Sequence, residues 1–203
     1  RFTLEDYEAL KRLVTDGSPI KEVGTSINGQ VQVSFGAKNA STRIVGATAS
    51  YQRMHNASLM VGHFFTDEDS YGRQRVALLG QTVVRNLFGE NFNPLGTIIK
   101  VNRVDYRVIG VLSPKGSGGF QDADDQIIVP VHTAMFRVLG RDRVDNLTVS
   151  VRKDDQIDLA STQVEDVLRS RRNLLPEDES DFTVQSLNEI RDAVNKSTQA
   201  ISS

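Results

Sequence analysis

Between Gly62 and Gly140 the chain alternates short apolar runs with glycine or Asn-Pro punctuation, and this texture limits its folding more than any other feature. The stretch opens Gly62-His63-Phe64-Phe65-Thr66-Asp67-Glu68-Asp69 and continues through Val76-Ala77-Leu78-Leu79-Gly80, Asn86-Leu87-Phe88-Gly89 and Asn93-Pro94-Leu95-Gly96. It closes through Val108-Ile109-Gly110-Val111-Leu112, Asp125-Gln126-Ile127-Ile128-Val129-Pro130 and Val138-Leu139-Gly140. Runs this short, rich in β-branched residues and bounded by turn formers, read as a compact unit of short strands with one or two short helices.

Within that unit, Val76 to Leu79 reads as a short buried strand and Gln81 to Phe88 as a helix. Val83, Val84, Leu87 and Phe88 form the helix's apolar stripe, and Gly89 stands where a left-handed cap belongs. Pro94 and Gly96 suit the second and fourth positions of a type I turn. Thr97 to Val101 and Val104 to Leu112 flank Asn102-Arg103 as a hairpin. Pro114 to Gln121 is a glycine-rich loop, Ile127 to Val131 a further strand, and Thr133 to Leu139 a short helix stopped by Gly140.

The flanks have a different texture. Thr3 to Val14 reads as a helix with Thr3 and Asp6 spaced as a capping box and with Leu4, Tyr7, Leu10 and Val14 on one face. From Ile20 to Phe35 the period is two, with Val31, Val33 and Phe35 on one side. Asn28-Gly29 in its midst fits either a tight turn or a bulge within one long strand. A reversal at Ala37-Lys38-Asn39, a returning strand from Arg43 to Thr48, a short helical link from Ser50 to Asn56 and a strand at Leu59-Met60-Val61 follow. Beyond Gly140, Leu147, Val149 and Val151 mark a half-exposed strand. Gln156 to Arg172 is a helix with Ile157, Ala160, Val164, Val167 and Leu168 on one face. Asn173 to Asp181 is an acidic loop, Phe182 to Gln185 a strand, and Ser186 with Glu189 caps a helix from Leu187 whose pattern is expected to continue past Ser203.

The fold class expected is therefore α/β (α+β). Residues 1–60 plus 141–203 form one discontinuous α/β subdomain, and residues 61–140 form an inserted β-rich subdomain. The size of the chain, 203 residues, suits one large domain or two small ones. Charge is balanced at 24 basic and 26 acidic side chains, which argues against nucleic acid as a partner. The chain has no cysteine, so disulfides and thiolate metal sites are excluded. No apolar run reaches the ~20 residues that span a bilayer, and the charged opening segment does not read as a signal peptide.

No catalytic, cofactor or metal site emerges. His55, His63 and His132 lie in three segments, without a carboxylate or second histidine at ligand spacing. Asp122, Asp124 and Asp125 lack the order of a calcium loop and read as a solvated loop. Gly116-Ser117-Gly118-Gly119 lacks the Gly-Lys-Ser/Thr of a nucleotide-binding loop, so no ATP binding is expected, and Ser117 is not in a nucleophile elbow. The run Lys115, Gly116, Ser117, Gly118, Gly119, Phe120 and Gln121 is instead a candidate partner-contact loop, because Phe120 sets an aromatic beside mobile glycines.

In order and spacing these blocks resemble the periplasmic core domain of MacB-type ABC transporter permeases, within the MacB/FtsX-like family. The resemblance covers nearly the whole chain, through Gly62-x-Phe64-Phe65-Thr66, Val76 to Gly80, Leu87-Phe88-Gly89, Asn93 to Gly96, Val108 to Val111, Ile128-Val129-Pro130, Arg137 to Gly140 and Asp181 to Val184. It implies a porter-like α/β subdomain carrying an inserted Sabre-like one, set between two transmembrane helices on the periplasmic side of the inner membrane. It further implies a non-catalytic domain of a permease that dimerises and is driven by a cytoplasmic ATPase, fused or separate. A periplasmic adaptor and an outer-membrane channel are the implied export partners. Relatives of that topology also release lipoproteins or activate cell-wall hydrolases, and an ectodomain of that kind is the alternative; a stand-alone hydrolase is the second. A domain suspended between two membrane spans should bring its first and last helices together, roughly antiparallel.

Overall fold

The computed structural model describes residues 2–115, 122–172 and 183–186. The expectations for Gly116 to Gln121, for the acidic loop after Arg172 and for the helix from Leu187, including its placement beside the first helix, lie outside the described residues.

The first helix, α1 (Leu4–Lys11), begins at a capping box: the Thr3 hydroxyl accepts from the Asp6 amide at 3.1 Å and the Asp6 carboxylate accepts from the Thr3 amide at 3.0 Å. Then come β1 (Ile20–Phe35), β2 (Lys38–Ala47), α2 (Tyr51–Met54) and β3 (Leu59–Gly62). The middle stretch holds α3 (Asp67–Tyr71), β4 (Val76–Leu79), α4 (Gln81–Phe88), β5 (Ile98–Val101), β6 (Val104–Leu112) and β7 (Gln126–Pro130). From it the chain passes into α5 (Val131–Thr133), which continues over Ala134–Leu139 as π-wound turns. The last elements are β8 (Asn146–Val151), α6 (Ile157–Arg172) and β9 (Thr183–Ser186).

The nine described strands belong to one sheet in the order β2-β7-β4-β6-β5-β1-β8-β9, with β3 also on β6. Because β2 pairs with β1 as well, six strands (β1, β2, β7, β4, β6 and β5) close into a ring. The long strand β1 makes this possible. Its first part, up to Ser26, pairs with β8, and from Ser26 onward it pairs with β2 in unbroken register. Asn28 and Gly29 sit within that register opposite Val45 and Ile44, so they form neither a turn nor a bulge. The β5–β6 hairpin completes the ring at its far end: the Asn102 amide donates to the Gln32 carbonyl (2.8 Å), and the Gln32 amide donates to Asn102 Oδ1 (2.9 Å).

Alternation along the strands divides the apolar side chains between two cores. Ile44, Leu79, Val108 and Ile127 join the main core, while their neighbours Val45, Leu78, Ile109 and Ile128 pack with Phe64 and Phe65 on the opposite face. Burial on both faces explains why these runs are almost continuously apolar. Gly46 lies where the helix after β7 crosses β2. A Cβ there would stand 2.3 Å from the Ala134 Cβ, so only glycine admits this contact.

Three local readings change. The turn after Asn93 is displaced by one residue: the Thr97 amide bonds the Pro94 carbonyl, and Gly96 holds the third position at φ 81°, the left-handed conformation of a type II turn. Strand β8 is not half-exposed, since Leu147, Val149, Ser150 and Val151 are all buried. It lies between β1 and β9, with Ala160, Val164 and Leu168 of α6 in the same core. Helix α3 was not anticipated, although Thr66 and Asp69 form a second capping box.

Candidate partner-contact site

Residues 116–121 fall between β6 and β7, and the residues that follow them, Asp122 to Gln126, are bound to the start of α4. Gly80 precedes that helix without a capping side chain, and its amide donates to the Gln126 carbonyl at 2.9 Å. Thr82, in the first turn, donates its amide to the Asp124 carbonyl (3.1 Å) and its hydroxyl to Asp122 Oδ2 (2.5 Å). Gln81 Nε2 donates to the Leu112 carbonyl (2.9 Å) and lies 3.1 Å from the Met60 sulfur. A Cβ on Gly80 would come within 2.2 Å of the Asp124 carbonyl oxygen, so this close crossing depends on the glycine.

The acidic cluster makes further bonds. The Lys115 amide donates to Asp124 Oδ1 (2.7 Å), the Asp124 amide to Asp122 Oδ1 (2.9 Å), and the Thr42 hydroxyl to Asp125 Oδ1 (2.6 Å). Asp122, Asp124 and Asp125 are thus specific acceptors, for Thr82, Lys115 and Thr42 respectively, where the sequence reads only a solvated loop. The Thr82 hydroxyl and the Asp124 amide hold the Asp122 carboxyl below the ordinary carboxylate range, since both stabilise its charged form. Arg43 of β2 bonds Gln126 and borders a shallow polar cleft with Gln30, Ser41, Asp122 and Asp125.

Of the seven residues read from the sequence as a contact site, Lys115 is described, and it is exposed. Its ammonium is pushed down by partial desolvation and then by the nearby Arg43 guanidinium, with Asp124 opposing. Around it the surface is mixed in character. Met60 is 60% exposed, and the His55 ring stacks on Tyr51 with centroids 4.0 Å apart. Burial and then Lys115 favour the neutral form of His55. Sequence reading did not anticipate His55 or Arg43 near Lys115, because they follow α2 and lie in β2, respectively, far from it along the chain. Among the described residues, no group of histidine, aspartate or glutamate side chains is arranged to hold a metal ion.

Residues 1–167 match the family described as the MacB-like periplasmic core domain. The chain belongs to that family. It is 37% identical over 203 residues to the macrolide export ATP-binding/permease protein MacB of Bdellovibrio bacteriovorus, and 37% identical over 202 residues to that of Chlorobium luteolum. Each alignment takes in 100% of this chain but only 31% and 30% of the relative, so the chain spans less than a third of the curated relatives it matches. A pyoverdine export ATP-binding/permease protein, PvdT of Pseudomonas syringae, is 28% identical over 173 residues, which is 85% of this chain and 26% of the relative.

Solved structures agree on the fold. The periplasmic region of MacB from Actinobacillus actinomycetemcomitans superposes with a TM-score of 0.75 at 21% identity, covering 96% of this chain and 83% of that one. The extracellular domain of the transporter YknZ from Gram-positive bacteria gives 0.72 at 22% identity, covering 86% of each chain. The α/β (α+β) class expected from the sequence is the class observed. No described helix is long and apolar enough to cross a membrane.

Proposed function

We propose that this MacB-like core domain is the extracytoplasmic, non-catalytic part of an ABC export permease, and that it passes ATP-driven helix motion to a periplasmic substrate. The observation that carries the reading is the 37% identity, along the whole of this chain and 31% of the relative, to a macrolide export permease. The cytoplasmic ATPase, the second permease copy, the adaptor and the outer-membrane channel are the partners of that reading, and the periplasmic side of the inner membrane is its place. The alternative, a lipoprotein-release or hydrolase-activating ectodomain, shares the topology but lacks the export relatives that support transport.

In this reading residues 1–60 and 141–203 form the part attached to the membrane helices, and residues 61–140 form the inserted part. Strand β8 pairs with β1 and β9 in keeping with that division. The β2–β7 and β1–β5 ladders supply a stiff path between the parts. Lys115 to Gln121 is the adaptor contact. Deleting Gly116 to Gly119 from the intact permease tests this: folding and ATP hydrolysis are expected to persist while adaptor binding and export fall. Unchanged export would refute the contact role.

A further inference from the structure

A cleft of about 310 Å³ opens where α1, the start of β1, α2 and α3 meet, and Tyr7, Val14, Lys21, Glu22, Val23 and Arg53 border it. Its volume is at the lower end of small-ligand sites, roughly 300–1,000 Å³. Three consecutive residues of one strand, Lys21 to Val23, reach this cleft, which strict alternation forbids. The register of β1 against β8 shifts between Ile20 and Glu22, so Lys21 is the extra residue of a β-bulge. A bulge re-aims side chains in just this way.

Two polar atoms of the lining residues are unpaired. Glu22 gives Oε1 to Arg53, while its Oε2 is buried without a hydrogen-bond partner among the described residues. A carboxylate oxygen left dry and unpaired is costly, so a ligand that brings a donor to it gains affinity. Tyr7 is 3% exposed, and its hydroxyl likewise makes no hydrogen bond among the described residues. Burial, and then the charge of Asp67, push its ionisation up, so the hydroxyl keeps a proton to donate. The charges are uneven. Lys11 is held by Asp67 (3.8 Å) and the Tyr71 hydroxyl (3.3 Å), and Arg53 by Glu22. Lys21 is exposed and has no ion pair among the described residues, which leaves one positive charge over at the rim.

We propose that this cleft binds the carboxyl end of a peptide whose last side chain is apolar. Lys21 takes the terminal carboxylate, Glu22 Oε2 accepts from the last amide N–H, and the Tyr7 hydroxyl donates to the preceding carbonyl. Val14 and Val23 form the apolar wall that the last side chain covers. An amide carries a donor and an acceptor side by side, which answers one unpaired acceptor and one unpaired donor together. A bare ammonium would meet the surplus positive charge and offer Tyr7 no acceptor. A bare inorganic anion would suit Lys21 and leave Glu22 Oε2 without a donor. The site rests on the cleft alone and does not depend on the transport reading.

The probe is acetyl-Ala-Ala-Val with a free carboxylate, its carboxamide twin is the control, and amide NMR shifts of the isotope-labelled 203-residue chain are the readout. The free acid should give saturable shifts at Lys21, Glu22 and Val23 with a Kd on the order of 1 mM. The carboxamide should bind about fivefold more weakly, and Lys21→Met should abolish that difference. Tyr7→Phe keeps the ring, removes the donor and should weaken both probes about fivefold. If Tyr7→Phe fails to fold, Lys21→Met, at an exposed position, carries the decision. The absence of saturable shifts at these residues with about 20 mM probe overturns the proposal. So does equal binding of acid and carboxamide to the unaltered chain. Sodium acetate binding there as tightly as the peptide would overturn it too, because the amide contacts would then add nothing.

Discussion

Replacing Gly46 by alanine probes the crossing of β2 by the helix that follows β7. The new Cβ would stand 2.3 Å from the Ala134 Cβ and 2.8 Å from Ile27 Cγ2, whereas ordinary contact begins at 3.4 Å. Ala134 offers no rotamer to withdraw, so β2 and α5 must separate by about 1 Å along a crossing where both are buried. Overpacking of this kind costs about 1–3 kcal/mol, and the absence of a flexible side chain places it near the upper limit. For a chain of this size that is a fall in melting temperature of roughly 6–10 °C. Thermal unfolding of Gly46→Ala, Ala134→Gly and the double variant forms a cycle. Ala134→Gly alone should lose about 1 kcal/mol of helix propensity, yet the double variant should melt above Gly46→Ala. A Gly46→Ala melt within about 1 °C of the wild type, or strict additivity, would refute the packing argument.

Three further outcomes follow from named contacts. Arg103, second in the two-residue β5–β6 turn, has φ 71°, so Arg103→Gly should raise stability by about 0.5 kcal/mol in urea titration, and a loss would contradict the strain. Thr3→Ala removes one arm of the α1 capping box and should cost about 1 kcal/mol, or roughly 2–4 °C, in a thermal melt. Burial is the leading cause that pushes the imidazoles of His55 and His132 down. As pH falls below about 6.5 the unfolded chain takes up these protons first, so this stability, full above that value, declines as pH approaches the lower folded pKa values. The urea midpoint should drop between pH 7.5 and 5, and His132→Gln should flatten the slope; an identical slope in the variant would exclude His132 as a source.

What could be read from the sequence was local. Period-two alternation in Val31 and Val33, the stripe of α4, and Asn102-Arg103 between two apolar runs each act over a few residues, and each is found where expected. What could not be read depended on distant partners. Asn28-Gly29 looks like a turn until β2 supplies an unbroken ladder opposite it. Strand β8 alternates like an exposed strand, but β9 and α6 cover it. Helix α3 is too short to show an apolar stripe, and its capping box at Thr66 and Asp69 was the signal available. In the candidate contact run, the glycines and Phe120 stood out by composition alone. The Thr82–Asp122 bond joins α4 to a residue 40 positions away, and no local pattern carries such a bond.

The central claim, that this domain moves with the nucleotide state of an export permease, is tested most directly by distance. Lys100, exposed on the ring strand β5, offers one label site per copy. In the intact, membrane-embedded permease, Lys100→Cys spin labels on the two copies should give one distance distribution without nucleotide and a displaced one with a non-hydrolysable ATP analogue. Superimposable distributions in the two states, in a preparation that hydrolyses ATP, would contradict the account.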